Sequence, residues 1–371
     1  MPAARSSSKE TASRSAATKP PARGKPARSA SRSPSAKLTV AVTGPTGDIG
    51  RSLLRALERS REVGRIEAMA RSPFDPAEAG LKKTKYRQAD VLDPDAVAEV
   101  VAEADVVVHL AFVIMGDLEE TTTVNLEGSR NVFRAAITAG AKRLVYASSV
   151  AAYGFHGDRP ELLTEEIETR GSKRHYYSAQ KAELETAMWE LLEGAQTDAY
   201  VFRPCIVAGP DALTLLESIP YIQLTDRMPA AIVRALEFMP ALKPVIPDPG
   251  VPFQLVHHDD VATAMRAAVL GRGEPGVYNL AGPGSITMSD LASALGWYSI
   301  PIPDLAVGAA AELVARLPFV PAEAQWIESV RHPVLMDTSR ARTLLGWRPD
   351  HDAAQTLTSM VEAGRSARLI R

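Results

Sequence analysis

The 371-residue chain has one cysteine, Cys205, which excludes an intrachain disulfide framework and any cysteine-rich metal site. Its seven histidines, His109, His156, His175, His257, His258, His332 and His351, show no ligand spacing such as H-E-x-x-H, so no metal is expected. No run reaches the roughly 18 uninterrupted apolar residues that a membrane span requires. The most apolar late stretch, Ala306 to Val320, is broken by Glu312 and Arg316. There is no internal repeat, and the N-terminal residues lack the apolar central segment of a secretory signal. These absences leave a soluble, non-disulfide protein of one large or two moderate domains, expected in the cytoplasm.

Charge is unevenly placed. The whole chain has a formal charge of −2, yet residues 1–37 hold nine Lys and Arg against Glu10 alone, so this stretch is strongly basic and the remainder acidic. Residues 1–37 contain no aromatic or branched aliphatic side chain. Such a composition buries too little apolar surface to offset ordering entropy, and a disordered tail is expected. It suits a solvated extension, a transit peptide (which would move the protein to an organelle), or a basic arm for nucleic acid or anionic lipid. The acidic remainder argues against nucleic acid as the main partner and leaves a small-molecule substrate.

From Lys37 onward strand and helix signals alternate. Lys37–Thr43 is a β-branched run ending in glycines, and Ile49, Leu53, Leu54 and Leu57 then recur at helical spacing. Strands are predicted at Arg65–Ala70, Tyr86–Ala89, Asp105–Leu110 and Arg143–Ala147. Helices are predicted at Asp95–Ala104, Thr122–Thr138 (capped by Gly140) and His175–Leu192. This order predicts an α/β fold with a doubly wound parallel sheet. Pro210 to Pro252, rich in proline and apolar residues, fits no regular element and is read as a mobile, substrate-side region.

The first chemical signal is Thr43-Gly44-Pro45-Thr46-Gly47-Asp48-Ile49-Gly50, a G-x-x-G-x-x-G turn set directly between a strand and a helix. Glycines permit the tight turn and the close approach of backbone to a pyrophosphate, and N–H groups at the helix start bind phosphate. Dinucleotide binding follows, with Gly44, Thr46, Gly47, Asp48, Ile49 and Gly50 as the phosphate-side residues. At the end of the second strand, where an acid would pair with the ribose hydroxyls of NAD, the chain has Ala70 followed by Arg71. An arginine there suits a 2′-phosphate and favours NADP over NAD; its alternative is an ordinary surface arginine. Asp90 and Val91, past the third strand, are candidates for the adenine edge, although an Asp at a strand end is also a common turn residue.

The second signal is Tyr177-Ser178-Ala179-Gln180-Lys181. The i, i+4 spacing puts Tyr177 and Lys181 on one helix face. A phenol with a free pKa near 10 is a poor base at neutral pH, and a neighbouring ammonium is expected to lower that value and make a usable general acid or base. Tyr176 has Gln180 in place of a lysine four residues on. Ser148-Ser149 stands at the end of the strand Arg143–Ala147, where a hydroxyl can hold a substrate oxygen; the alternative for Ser149 is a helix N-cap or turn residue.

Further landmarks accompany these two. They are His109-Leu110-Ala111, Asn125-Leu126-Glu127-Gly128-Ser129-Arg130-Asn131, Tyr153-Gly154, Phe202-Arg203-Pro204, Val256-His257-His258-Asp259-Asp260-Val261, Gly276-Val277-Tyr278-Asn279-Leu280 and Leu344-Leu345-Gly346-Trp347-Arg348-Pro349. In this order they resemble the extended short-chain dehydrogenase/reductase superfamily, its NAD-dependent epimerase/dehydratase group, over nearly all of residues 38–351. The resemblance implies a Rossmann sheet over 38–205 and a mainly substrate-binding region over 206–371, with a segment near 250–265 returning to the sheet. It implies Ser149, Tyr177 and Lys181 as catalytic residues, Lys181 also holding the nicotinamide ribose. Leu110, Ala111 and Pro204 join the cofactor-binding set. It implies, finally, that the helices at Thr122–Thr138 and His175–Leu192 pair across a homodimer interface, the alternative being ordinary core packing.

Departures from the group narrow the reaction. Related dehydratases carry Thr-Asp-Glu where this chain has Ser149-Val150-Ala151, so no acid is at hand for elimination. Sugar-nucleotide epimerases carry Asn and Arg where this chain has Ile206 and Phe253; the apolar pair removes a donor and a positive charge from a diphosphate ligand. The apolar runs Leu213 to Ile222 and Ala230 to Ile246 suit an apolar substrate, or lid and core packing. The expectation is an NAD(P)-dependent oxidoreductase acting on a carbonyl or alcohol carbon. Its alternatives are an epimerase with tightly bound NAD and a non-catalytic NADP-sensing protein.

Overall fold

In the computed structural model of the chain, the residues described are 37–114, 118–172, 175–219, 221–223, 243–303 and 333–370. The basic tail, the stretch Ala306 to Val320 and most of the run Ala230 to Ile246 lie outside them.

The chain opens with β1 (Leu38–Thr43), α1 (Asp48–Glu58), β2 (Val63–Ala70), β3 (Thr84–Gln88), α2 (Pro94–Val101), β4 (Val106–His109), α3 (Leu118–Thr138) and β5 (Arg143–Ala147). A 3₁₀ turn (Val150–Tyr153) and β6 (Leu162–Leu163) precede α4 (Tyr176–Leu192), β7 (Asp198–Pro204), β8 (Ile206–Ala208) and α5 (Thr214–Glu217). Then come β9 (Val245–Asp248), β10 (Leu255–His257), α6 (His258–Val269), β11 (Gly276–Leu280), α7 (Met288–Leu295) and β12 (Tyr298–Pro301). The chain closes with β13 (Leu335–Met336), α8 (Ser339–Leu344) and α9 (Ala353–Ser366).

Seven strands form one sheet in the order β11-β7-β5-β4-β1-β2-β3, every neighbouring pair parallel. The alternation of strand side chains assigns its two faces. Val40, Val42, Val106, Val108 and Val145 turn to one, where Leu53, Leu54 and Leu57 of α1 and Val261 and Met265 of α6 cover them. Ala41, Val107, Leu144 and Tyr146 turn to the other, against Val97 of α2, Val132 and Phe133 of α3, and Leu184 and Met188 of α4. With both faces covered, the central strands read as unbroken apolar runs, as buried parallel strands must.

Element ends differ from expectation for local reasons. Helix α2 starts at Pro94 because Asp93 caps it, accepting from Asp95 N and Ala96 N at 3.1 Å each, with proline fitting the first helical position. Helix α3 begins at Leu118, a turn before the predicted Thr122. Part of Pro210–Pro252 is regular after all, as α5 and β9. The stretch from Leu255 to Leu280 comes back to the sheet: after β10, which forms a separate two-stranded sheet with β8, α6 packs against α1 and β11 adds the seventh strand beside β7. A third apolar cluster, with Ala208, Leu216, Leu255, Leu291, Leu357 and Met360, joins α5, α7 and α9 outside the sheet. Among the described residues no helix is long and apolar enough to cross a membrane.

One buried acid fastens the C-terminal segment to this frame. Asp260, 1% exposed, accepts from Asp350 N at 2.9 Å, His351 N at 3.1 Å and His351 Nδ1 at 3.0 Å, while Trp347 Nε1 donates to its carbonyl at 2.9 Å. Removing the carboxylate leaves several donors without an acceptor, so Asp260→Ala should lower the stability of the fold by about 3 kcal/mol or more, read as a fall in the urea midpoint at unchanged m-value.

Candidate active site

The residues singled out in the sequence lie along the carboxyl ends of the sheet strands: Gly44 after β1, Arg71 after β2, Asp90 and Val91 after β3, Leu110 and Ala111 after β4, Ser148 and Ser149 after β5, and Pro204 at the end of β7. The strand order reverses between β1 and β4, the place where sheets of this kind open a crevice for ligands.

The glycine turn sits at that crevice. Gly44 has φ +73° and its amide donates to Met69 O at 3.0 Å; a Cβ there would lie 2.6 Å from Ala111 N. A Cβ on Gly50 would run into the carbonyl of Gly44. Gly47 has room for a Cβ, so sterics within the protein do not require it; it is instead the extended N-cap of α1, and no side chain caps that helix. Amides of the first turn are thereby left facing the crevice without a capping side chain, the arrangement that takes a phosphate.

The neighbouring candidates divide. Arg71 is exposed at the end of β2, with its carbonyl accepting from Gln88 Nε2 at 2.8 Å. The Asp90 carboxylate accepts from Leu92 N at 3.0 Å, as a turn residue does, and Val91 is buried against Gly128. Pro204 is buried.

Helix α4 presents Tyr177 and Lys181 one turn apart, its start capped by His175 Nδ1, which accepts from Ser178 N at 3.3 Å. Lys181, 3% exposed, donates through Nζ to Ala147 O at 2.8 Å. Its ammonium lies 3.7 Å from the ring centre of Phe112, 5.1 Å from that of Tyr146 and 5.8 Å from that of Tyr177. Phe112 meets Tyr177 edge to face with ring centres 5.4 Å apart. Ser149 shows the turn character expected as its alternative: Oγ caps the 3₁₀ turn by accepting from Ala151 N at 3.1 Å, and its side chain also bears on Tyr177, lowering that phenol's pKa.

Electrostatics correct one expectation. Burial raises the Tyr177 pKa above 10, only partly opposed by the bond to Ser149, and burial pulls Lys181 down from 10.5 to about 7, partly opposed by Glu185. Desolvation is the largest cause, so Tyr177 is held protonated at neutral pH.

Sequence reasoning missed the support beneath these residues. Glu185, one further turn along α4, pairs with Arg203 of β7 (Nη2 at 2.6 Å, Nε at 3.0 Å) and accepts from Ser148 Oγ; all three are buried. Arg203 lies over the Tyr153 ring at 4.6 Å, and Tyr153 donates to Asn279 Oδ1 at 2.8 Å. Asn125 on α3 pins the loop after β4, accepting from Val113 N at 2.8 Å and donating to Val113 O at 2.9 Å. The i+4 step from Lys181 to Glu185 was the available signal.

His257, His258 and Asp259 bring possible ligand atoms within 4.8 Å of one another. His258 Nε2 accepts from Asp211 N at 3.2 Å and Nδ1 bonds Ser52 Oγ at 2.7 Å, while His257 Nδ1 accepts from Asp259 N at 3.2 Å. Both histidines are thus engaged in hydrogen bonds within the protein. Ile206 and Phe253 are both half-buried against the third apolar cluster.

The family model described as NAD dependent epimerase/dehydratase family matches residues 40–281. Cinnamoyl-CoA reductase 1 of Petunia hybrida is 29% identical over 184 residues, 46% of this chain and 55% of that protein; the chain spans about half the length of the curated relatives it matches. In fold it is similar to UDP-glucose 4-epimerase of Thermotoga maritima, solved with UDP-glucose (TM-score 0.66, 18% identity, 89% of this chain and 100% of that one). It is likewise similar to MoeE5, solved with UDP-glucuronic acid and NAD (TM-score 0.65, 19% identity, 89% and 99%).

The depressed Lys181 pKa has a measurable consequence. Below about pH 7 the amine is protonated in both folded and unfolded chains and the full cost of burying its charge is present; between about 7 and 10.5 the unfolded chain retains a proton that the native state has shed, so stability rises with pH. Relative to Lys181→Met, which lacks this contribution, the native chain should gain up to about 1.4 kcal/mol per pH unit across that window, measured by urea unfolding at pH 7 and pH 9.

Proposed function

The chain belongs to the NAD dependent epimerase/dehydratase family, and from that membership we propose that it is an NAD(P)-dependent oxidoreductase acting at a carbonyl or alcohol carbon, with Tyr177 as its general acid or base. The observation that carries this reading is the buried Lys181 one helical turn from Tyr177, its ammonium nitrogen 5.8 Å from that ring's centre and bonded to Ala147 O at the carboxyl edge of the sheet, two residues before Ser149.

The residues present fit a dinucleotide. Gly44 and Gly50 leave no space for a Cβ, and α1 has no capping side chain, as a pyrophosphate cradle requires. Gly44, Thr46, Gly47, Asp48, Ile49 and Gly50 would hold the phosphates, Asp90 and Val91 the adenine side, and Leu110, Ala111 and Pro204 the nicotinamide half, with Lys181 on its ribose. Arg71, standing where an acid would favour NAD, complements a 2′-phosphate and supports NADP. When bound, the dinucleotide supplies or accepts the hydride.

The protein's own groups manage the oxygen. Ser149 orients the substrate oxygen, and Tyr177, protonated at neutral pH, donates its proton there. The phenolate that remains is stabilised by the Ser149 hydroxyl and by the Lys181 ammonium. A phenol held protonated favours the reductive direction. Val150 and Ala151 beside Ser149 supply no acid for elimination, and the half-buried Ile206 and Phe253 favour an apolar substrate over a sugar nucleotide. In this reading residues 38–205, joined by the returning segment, hold the dinucleotide, and the rest of 206–371 mainly holds substrate.

Tyr177→Phe should lower turnover at least 100-fold, within the usual range for a lost general acid, while the Kd for NADPH changes less than threefold; undiminished turnover would remove the assigned proton donor. Arg71→Ala should raise the Kd for NADPH about tenfold and leave that for NADH in place. Purified protein that retains NAD and turns over a sugar nucleotide with no net absorbance change would establish the epimerase alternative instead.

A further inference from the structure

We propose that Asp48 sets how tightly, and at what pH, the phosphate turn takes its dinucleotide, and that its bond to Thr214 joins this affinity to the substrate-side segment. The inference rests on the dinucleotide reading of the Gly44–Gly50 turn.

Asp48 is the acid in the first turn of α1, next to the uncapped Gly47. While the turn is empty, a carboxylate is welcome there, because the helix start carries partial positive charge. A pyrophosphate uses the same amides and brings two further negative charges into the same turn, where like charges disfavour one another's ionised forms. The groups around Asp48 do not cancel this. Arg51 lies on its own helix, His258 opens α6, and Asp211, in the loop after β8, adds a second acid. The guanidinium next along α1, Arg55, is engaged with Asp211 at 2.6 Å. Asp48 is half-buried, and burial already raises its pKa above 3.8, so arriving phosphate pushes it further toward the protonated form.

The carboxylate is also a strut. Thr214 Oγ1 donates to Asp48 Oδ2 at 2.7 Å, across 166 positions of sequence. Thr214 opens α5, whose Leu216 is fully buried in the third apolar cluster with Ala208, Leu357 and Met360. The bond turns the carboxylate toward this segment; released from it, the carboxylate is free to turn back onto the first-turn amides and compete with phosphate for them. Dinucleotide binding should therefore take up protons and strengthen as pH falls toward the Asp48 pKa.

The test titrates the full chain with NADH and with NADPH by fluorescence from pH 5 to pH 8; the ratio of variant to native Kd at each pH cancels titration of the ligand itself. Asp48→Asn keeps the shape and an acceptor for Thr214, and should bind about tenfold more tightly than the native chain at pH 8, the difference narrowing as pH falls. Thr214→Val should weaken binding about threefold in the native background and leave an Asp48→Ala background unchanged. Equal affinities and parallel pH dependences for native and Asp48→Asn chains would overturn the proposal, as would a Thr214→Val effect of the same size in both backgrounds. If the native chain binds neither NADH nor NADPH at any pH, the dinucleotide reading itself falls, and this proposal with it.

Discussion

The burial of one amine is the constraint around which these residues are arranged. The Lys181 ammonium has one carbonyl partner, Ala147 O, and is otherwise surrounded by the rings of Phe112, Tyr146 and Tyr177. Aromatic faces attract a cation but replace only part of its hydration. The fold supports this placement from below, through Glu185 on the same helix, which Arg203 and Ser148 hold in position. Strand ends β5 and β7 and helix α4 are joined at this point, so the Ser148-Ser149 turn and the Tyr177 helix cannot shift independently.

The sheet brings together what the chain keeps apart. Gly44, Ser149 and Pro204 belong to distant stretches of sequence, yet parallel pairing sets their strand ends on one edge, where Lys181 of α4 bonds the last carbonyl of β5. Helices on both faces make the strands rigid, and the loops beyond them carry the chemistry. The helix start beside Gly47 and the Ser148-Ser149 turn consequently lie along the same edge of the sheet.

Much of this was legible beforehand, because buried parallel strands such as Val106–His109 leave an apolar signature that few other environments require. The glycine turn was legible for a similar reason: two of its three glycines answer steric demands visible in the spacing alone. Charge balance was not. The i, i+4 rule placed Lys181 beside Tyr177 but carried no information about desolvation, which depends on Phe112 and Tyr146 arriving from β4 and β5. Nor could local pattern reveal that Glu185, an ordinary acid in a helix, meets Arg203 of another strand, or that Asp260 would gather the backbone of residues ninety positions away. Long-range polar pairing has no period.

The strand order has a consequence for how the molecule comes into being. Synthesis proceeds from the N-terminus, and β1 to β5 form a contiguous block of the sheet, so the middle of the sheet can assemble while later residues are still being made. β11, the outermost strand beside β7, is separated from it by more than seventy residues, and α6, which covers the hydrophobic side of β1 and β4, arrives in the same late portion. Until then that side is covered by α1 alone. A nascent chain of this protein passes through a stage in which Val40, Val42, Val106 and Val108 have α1 but not α6 over them, the interval in which a chaperone would find its clearest hold.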